Sequence, residues 1–468
     1  MLSETAQGSV MTRVGTALVR NVVFPLWARR DHPRYFRYFN EFQQSQFYST
    51  KQIRALQLHR LRALLEHAYH NCPLYRSRMN EAGVLPASVE SLESLARLPV
   101  LTKRDIQDHS LLLLAGNIPE NSRVRNQTGG STGSPLQFYV DKERLDSRMA
   151  STDRHNRWAG LKPGDWHAYL WGARLDQVIH QGIKDWARNT LLYRRIELNT
   201  SHITPQRWRE LVEKIRVERP RFMIAYAKSA VLLANYIREN NIRDLRFDSI
   251  VTTAEVLFPE DRQTLESTFG GRVFNRYGCR EVSIIASECE HQRMHVNAEA
   301  LLVEIMHDET SRVGKVLVTD LLNYSMPLIR YEIGDVAEWA AEQSCPCGRG
   351  LSILENVQGR TTDFLELRDG TRVSGPALTL VVADMADVRQ VQFVQYGLND
   401  ITMRVVPGRG YGEHTQNELR KRIAPYLGGL ANLKIEETTG ISSEASGKYR
   451  FVISHAADDL AAAPSQKM

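Results

Sequence analysis

Eight consecutive residues, Thr128, Gly129, Gly130, Ser131, Thr132, Gly133, Ser134 and Pro135, hold three glycines and four hydroxyls. Glycine lets the backbone come close to a ligand, and backbone N–H groups and hydroxyls are the donors that phosphate oxygens accept from. The run is therefore a candidate phosphate loop. It is not a Walker loop, because no Lys-Ser/Thr pair follows the glycines before a helix, and strand-like residues 136–140 come next. By composition alone it also fits an ordinary flexible turn. A second group combines Cys289 and His295 with the later Cys345-Pro-Cys347-Gly turn. Three thiolates and one imidazole make the donor set of a closed tetrahedral zinc site, which holds structure in place and leaves no open position for chemistry. His291 competes for the fourth position.

These groups need a scaffold, and hydrophobic periodicity outlines one. Ile53, Leu56, Leu61, Leu64, Leu65 and Ala68 recur at helical spacing, so residues 1–115 read as an α-rich lead-in. In the middle of the chain, β-type runs at 222–225, 249–253 and 272–274 alternate with helical patterns at 208–216 and 230–238. That alternation predicts a parallel sheet with crossover helices. Strands with turns at 301–305 and 315–319 predict a β-rich subdomain before a boundary near Gly359. Strand-like segments at 364–367, 391–396, 401–406, 434–437 and 451–454, with a helix at 413–426, predict a small α+β domain over 360–458. Residues 459–468 read as a flexible tail. The fold class is α/β, a large domain over 1–359 followed by this small one.

At 468 residues and 42% hydrophobic composition the chain can bury large cores, which excludes a single small module. The net charge of +6 favours anionic small ligands at a suitable site and gives no reason to expect nucleic acid. No apolar run approaches the roughly eighteen residues of a membrane span, and no signal-peptide pattern opens the chain, so a cytoplasmic protein is expected. Val14, Leu18, Val22 and Trp27, set among Arg13, Arg20 and Arg29, predict a helix packed on its own domain or, alternatively, a weak contact with a membrane surface. Five cysteines without a secretion signal argue against a disulfide framework.

Four further segments follow the phosphate loop: Thr253-Ala254-Glu255, Tyr277-Gly278-Cys279-Arg280-Glu281, Arg330 to Asp335, and Gly359-Arg360, with a late Gly447-Lys448. In that order they resemble the adenylate-forming superfamily of acyl-CoA synthetases. His67-Ala-Tyr-His-Asn-Cys-Pro-Leu-Tyr75 and Leu98-Pro-Val-Leu-Thr-Lys103 narrow the resemblance to its phenylacetate-CoA ligase-like, CapK-type branch. It covers nearly the whole chain, from about Leu61 to Ile453. The joint order of the motifs carries it, since no single motif is specific.

The resemblance implies ATP-dependent activation of a carboxylic acid as an acyl-adenylate, then transfer to coenzyme A. Residues 128–133 would cradle the ATP phosphates, Ala254, Glu255, Tyr277 and Gly278 would flank the adenine, and Glu281 would hold Mg²⁺. Asp335 would bind the ribose, Arg360 would contact the ribose or phosphate, and Lys448 would reach the carboxylate and α-phosphate. Cys279 would line the nucleotide pocket. Trp171-Gly172, Tyr226-Ala227-Lys228 and residues 277–284 would border the acyl site, where Lys228 could face a carboxylate. Members of the group carry a similar cysteine and histidine arrangement, some with zinc. The small domain would swing between half-reactions. Thr362 and Asp363 stand where the family has an acidic pair, which leaves an amine or a sugar or polysaccharide intermediate open as the acyl acceptor. A noncatalytic zinc-containing binding protein is the reading from another class.

Overall fold

The structure is a computed structural model that describes residues 15–128, 136–171, 188–200, 202–307, 312–358, 364–369, 371–382, 385, 387–441 and 451–455. The strands His167–Trp171, Arg195–Asn199, Phe222–Tyr226, Ser249–Thr253 and Arg272–Cys279 run parallel. Parallel strands are covered on both faces, which is why Phe222, Met223, Ile224, Ala225 and Tyr226 form an unbroken buried run. The crossovers are the helices Pro205–Glu218, Ala227–Glu239 and Pro259–Phe269. Thr204 starts the first by accepting the Arg207 N–H, and Gly270 ends the last with φ +76°, a left-handed conformation glycine adopts without steric cost.

The β-rich region expected after residue 299 is no separate layer. The strand Arg272–Cys279 turns back antiparallel into Ser283–Glu288, and the pairing continues outward to Leu301–Met306. One sheet of eleven strands results, parallel on one side and antiparallel on the other. The physical reason is the short turn after Cys279, which keeps the chain in the same sheet where a crossover helix would have started a new layer.

Lys142–Trp158 is a helix that sequence periodicity does not announce. Its composition is polar, yet Arg144, Asp146, Arg148, Asp153, Arg154 and His155 are all buried. It lies between the lead-in helix Tyr35–Ser45 and the sheet. Asp153 accepts from the Tyr35 hydroxyl at 2.5 Å, and Asp146 accepts from the Arg34 N–H at 2.9 Å. On the sheet side Arg154 donates to Glu299 at 2.6 Å and to Asn297 at 2.8 Å, and both members of the Arg154–Glu299 pair are fully buried.

The helical segments Val19–Val23 and Phe24–Asp31 bury Val19 and Ala28 and tie Arg20 to Asp165 at 2.5 Å. This is the own-domain packing expected of that stretch, with Leu18, Val22 and Leu26 facing outward. No helix among the described residues is long and apolar enough to cross a membrane.

The C-terminal region forms a four-stranded sheet in the order Asn432–Glu437, Asp400–Pro407, Val388–Gly397, Val452–Ser454. The helix Glu413–Leu427 packs Leu419 and Ile423 into the same core as Phe393, Met403 and Val405. Phe364–Glu366 and Arg372–Ser374 form a hairpin, and His202–Ile203 of the large domain pairs with its second strand.

Removing one partner of a buried ion pair strands the other charge. Arg154→Met is therefore expected to lower stability by about 3–5 kcal/mol through the uncompensated Glu299, read as a shift of the urea midpoint.

Candidate active site and metal centre

The C-terminal ends of the parallel strands are where open α/β sheets place ligands. Ala254 follows the strand Ser249–Thr253 there with φ +67°, a strained value for alanine. Glu255 is buried and its Oε2 accepts the Lys228 N–H at 2.8 Å, so this carboxylate also fixes the first turn of the helix Ala227–Glu239. Tyr277 and Gly278 end the next strand. A Cβ on Gly278 would stand 2.3 Å from the Ser283 carbonyl oxygen across the hairpin, which only glycine avoids.

The Tyr277 hydroxyl donates to Asp335 Oδ2 at 3.1 Å, and the Tyr331 hydroxyl donates to Glu281 Oε1 at 3.1 Å. Tyr277 and Glu281 from one motif and Asp335 from another thus share one site joined through Tyr331–Trp339, the strand that carries Asp335. Burial, and then the Glu281 carboxylate, push the Cys279 thiol well above its usual pKa, leaving a neutral wall residue. Glu281 is only partly buried, and a carboxylate is the donor a hard divalent cation such as Mg²⁺ prefers.

The turn that carries Glu281 is held from behind. Arg148 donates to the carbonyls of Arg280 and Glu281, and Arg144 donates to that of Val282 at 3.1 Å. Both guanidiniums come from the helix Lys142–Trp158 and share Asp320, 2.8 Å from Arg144 and 3.7 Å from Arg148. Sequence reasoning missed these arginines, because nothing in a polar helix marks them as supports, and it quoted Tyr331 within the Arg330 to Asp335 segment without giving it a role.

Thr128 closes the base of the phosphate loop, donating its N–H to the Leu136 carbonyl at 2.9 Å and accepting the Leu136 N–H on Oγ1 at 2.9 Å. Gly129, Gly130, Ser131, Thr132 and Gly133 lie outside the described residues, as do Gly172, Arg360, Thr362, Asp363 and Lys448. In the region expected to border the acid, the Trp171 and Tyr226 rings are 4.6 Å apart and Tyr169 stacks on Trp171 at 5.0 Å. Lys228 does not point its charge there. Its ammonium is bound to Asp261 at 2.9 Å and lies over the Phe258 ring.

The sulfur atoms of Cys289, Cys345 and Cys347 and a ring nitrogen of His295 all lie within 4.8 Å of one another. Cys289 Sγ and Cys345 Sγ are 3.7 Å apart, and His295 Nε2 is 3.3 Å from Cys347 Sγ. A tetrahedron with Zn–S bonds of about 2.3 Å has edges of about 3.7 Å, whereas a disulfide would need about 2.0 Å. The four donors fit zinc. His295 reaches them through the strand register, since its partner Ile353 lies just past the Cys-Pro-Cys turn. Its Nδ1 is 3.1 Å from the Leu351 carbonyl, which can only accept, so Nε2 keeps its lone pair for a metal. His291 is outside this group and supplies a backbone N–H to Cys289 Sγ at 3.3 Å.

Residues 365–455 match the family described as CapK C-terminal domain. The chain is 28% identical to the phenylacetate-coenzyme A ligase of Thermus thermophilus over 68% of this chain and 72% of that one. It is 24% identical to Protein CapK of Staphylococcus aureus over 78% of this chain and 81% of that one. Among solved structures it is similar to 2-hydroxyisobutyryl-CoA ligase in complex with 2-HIB-AMP and CoA in the thioesterification state, with TM-score 0.60, 20% identity and coverage of 89% of this chain and 92% of that one. The postadenylation state of that ligase gives TM-score 0.55 over 87% of this chain and 90% of that one. The chain therefore has the fold of adenylate-forming CoA ligases, and its sequence resemblance to phenylacetate-CoA ligase-like proteins of the CapK type extends well beyond the motifs.

Gly278→Ala is expected to cost about 1–3 kcal/mol, because the hairpin must shift to make room for the methyl group. A lower thermal unfolding midpoint would register it, accompanied by quenching changes from the displaced Tyr277.

Proposed function

We propose that this chain activates a carboxylic acid with ATP and then transfers the acyl group to coenzyme A. The observation that carries the reading is the convergence of Tyr277, Glu281 and Asp335 at the C-terminal strand ends, in a fold shared with CoA ligases. In the first half-reaction a carboxylate oxygen attacks the α-phosphorus of ATP and pyrophosphate leaves. Lys448 would offset the negative charge that gathers on the carboxylate and α-phosphate as they approach, and residues 128–133 would hold the departing phosphates. Tyr277 provides a flat surface for the adenine, while Asp335 accepts from the ribose hydroxyls and Arg360 contacts ribose or phosphate. Glu281 would hold Mg²⁺, which when bound neutralises phosphate charge.

In the second half-reaction the thiol of coenzyme A attacks the acyl carbon, loses its proton, and AMP departs. The small domain swings between the two steps. Thr362 and Asp363 in the connecting segment, and a C-terminal region of the CapK type, favour a second reading in which an amine or a sugar or polysaccharide intermediate takes the acyl group. We assign zinc to Cys289, His295, Cys345 and Cys347, as a pin between two sheet loops with no part in the chemistry. The reaction belongs in the cytoplasm, where ATP and coenzyme A are abundant.

Carboxylate-dependent exchange of pyrophosphate into ATP, run over an acid panel with and without coenzyme A, tests the reading. Exchange with at least one acid and a thioester product is the expected result, with exchange lost in Lys448→Ala. An acyl product formed only with another acceptor selects the second reading. ATP binding without turnover, unchanged in Lys448→Ala, would mean a noncatalytic binding protein. Elemental analysis should find one zinc per chain in the purified protein, and Cys345→Ser should remove it.

A further inference from the structure

We propose that Arg276 determines which acid is used, and that the substrate is a flat, unsaturated acid carrying a second anionic group that this guanidinium binds. The inference rests on the adenylation reading and names the substrate class of that same site.

Arg276 stands one residue before Tyr277 on the strand Arg272–Cys279. The pairings Tyr226 with Thr253 and Thr252 with Asn275 bring Tyr226, Thr253 and Arg276 into successive positions of one row across three parallel strands. Trp171 extends the row through its ring contact with Tyr226, and Tyr169 stacks beneath it. The row lies at the strand ends from which Ala254, Glu255, Tyr277 and Gly278 emerge. It is an aromatic wall with one cation at its end, next to the nucleotide motifs.

No carboxylate among the described residues balances that cation. Arg144, Arg154 and Arg330 are buried too, and each holds a carboxylate: Asp320, Glu299 and Glu304. Arg276 is 8% exposed and pairs with no carboxylate among the described residues. Its guanidinium donates to Asn156 Oδ1 at 2.7 Å, while its Nε is buried with no partner. Directly across the strand pair stands Ser287, whose Oγ is also buried with no partner.

Burial pushes the Arg276 pKa down to about 10, so the group still carries its charge at neutral pH. A water could satisfy both orphan atoms but would bring no charge. Asn156 lies in the last turn of the helix Lys142–Trp158, whose C-terminal dipole amounts to only about half an elementary charge and offsets part of the cost. A carboxylate on the substrate would supply the remainder and match the planar fork of the guanidinium. Lys228, another cation of this region, is already taken by Asp261.

The test is pyrophosphate exchange on matched acids, benzoate against terephthalate and phenylacetate against 4-carboxyphenylacetate, with wild type, Arg276→Met and Arg276→Lys. A polar site of this kind rejects an analogue lacking its partner group, so kcat/KM of the wild type should favour the diacid by on the order of a hundredfold or more. Arg276→Met should lose that preference mainly through KM and accept the monoacid at least as well as wild type, with Arg276→Lys in between. Monoacids preferred by wild type, or an equal loss for both acids in Arg276→Met alongside a lowered melting temperature, would overturn the inference while leaving adenylation intact. The wild-type comparison decides the matter even if Arg276→Met does not fold. Absence of exchange with every acid would instead remove the adenylation reading, and this inference with it.

Discussion

The arrangement of this molecule depends on a row of buried arginines along one polar helix. Arg144 and Arg148 of Lys142–Trp158 together hold the turn at 280–282 through the Val282, Arg280 and Glu281 carbonyls and share Asp320, while Arg154 reaches Glu299 and Asn297. Burying guanidiniums is costly unless each finds its partners, and those partners are backbone and carboxylate groups at fixed places. The helix therefore dictates where the loops stand. Hydrophobic packing alone would tolerate small slips of these loops, whereas a buried guanidinium with a lost acceptor does not. Glu281 and the neighbouring Tyr277 inherit their positions from that constraint.

The same feature explains what the sequence revealed and what it hid. Strands such as Phe222–Tyr226 and helices such as Ala227–Glu239 bury apolar faces and announce themselves by periodicity. Lys142–Trp158 buries charge, so a reading built on apolar spacing has nothing to detect. The continuity of the eleven-stranded sheet was likewise hidden, because it turns on one short hairpin at residues 280–282 and not on composition. The resemblance to phenylacetate-CoA ligase-like proteins was legible through the order of the motifs along the chain. The donors Cys289, His295, Cys345 and Cys347 were legible by type and spacing, and the strand pairing of His295 with Ile353 is what brings the histidine to the cysteines. Lys228 drew attention as the cation near the acid and is spent on Asp261. Arg276, embedded in a strand, gave no such signal, since its lack of a carboxylate partner among the described residues exists only in three dimensions.

The platform and the small domain are held by different means. Within the platform, charge pairs and a continuous sheet join loops far apart in sequence. Towards the small domain, the register is a two-residue ladder, Arg372 opposite Ile203 and Val373 opposite His202. Backbone hydrogen bonds at such an edge can be exchanged for water at a net cost of about 0.5–1.5 kcal/mol each.

That contrast separates two kinds of specificity. Choice of acid requires atoms fixed to within fractions of an ångström, and the row of Trp171, Tyr226 and Arg276 belongs to the rigid sheet. On the proposed reading, choice of acceptor would depend on which face the C-terminal region presents after adenylation, and that region has its own core of Phe393, Met403, Leu419 and Ile423. Substitutions on its surface can alter the acceptor without disturbing the loops that the buried arginines hold. On the proposed reading, a platform of this construction would serve different second steps, and the acceptor would be sought in the C-terminal region and its connecting segment, not in the strand ends proposed to activate the acid.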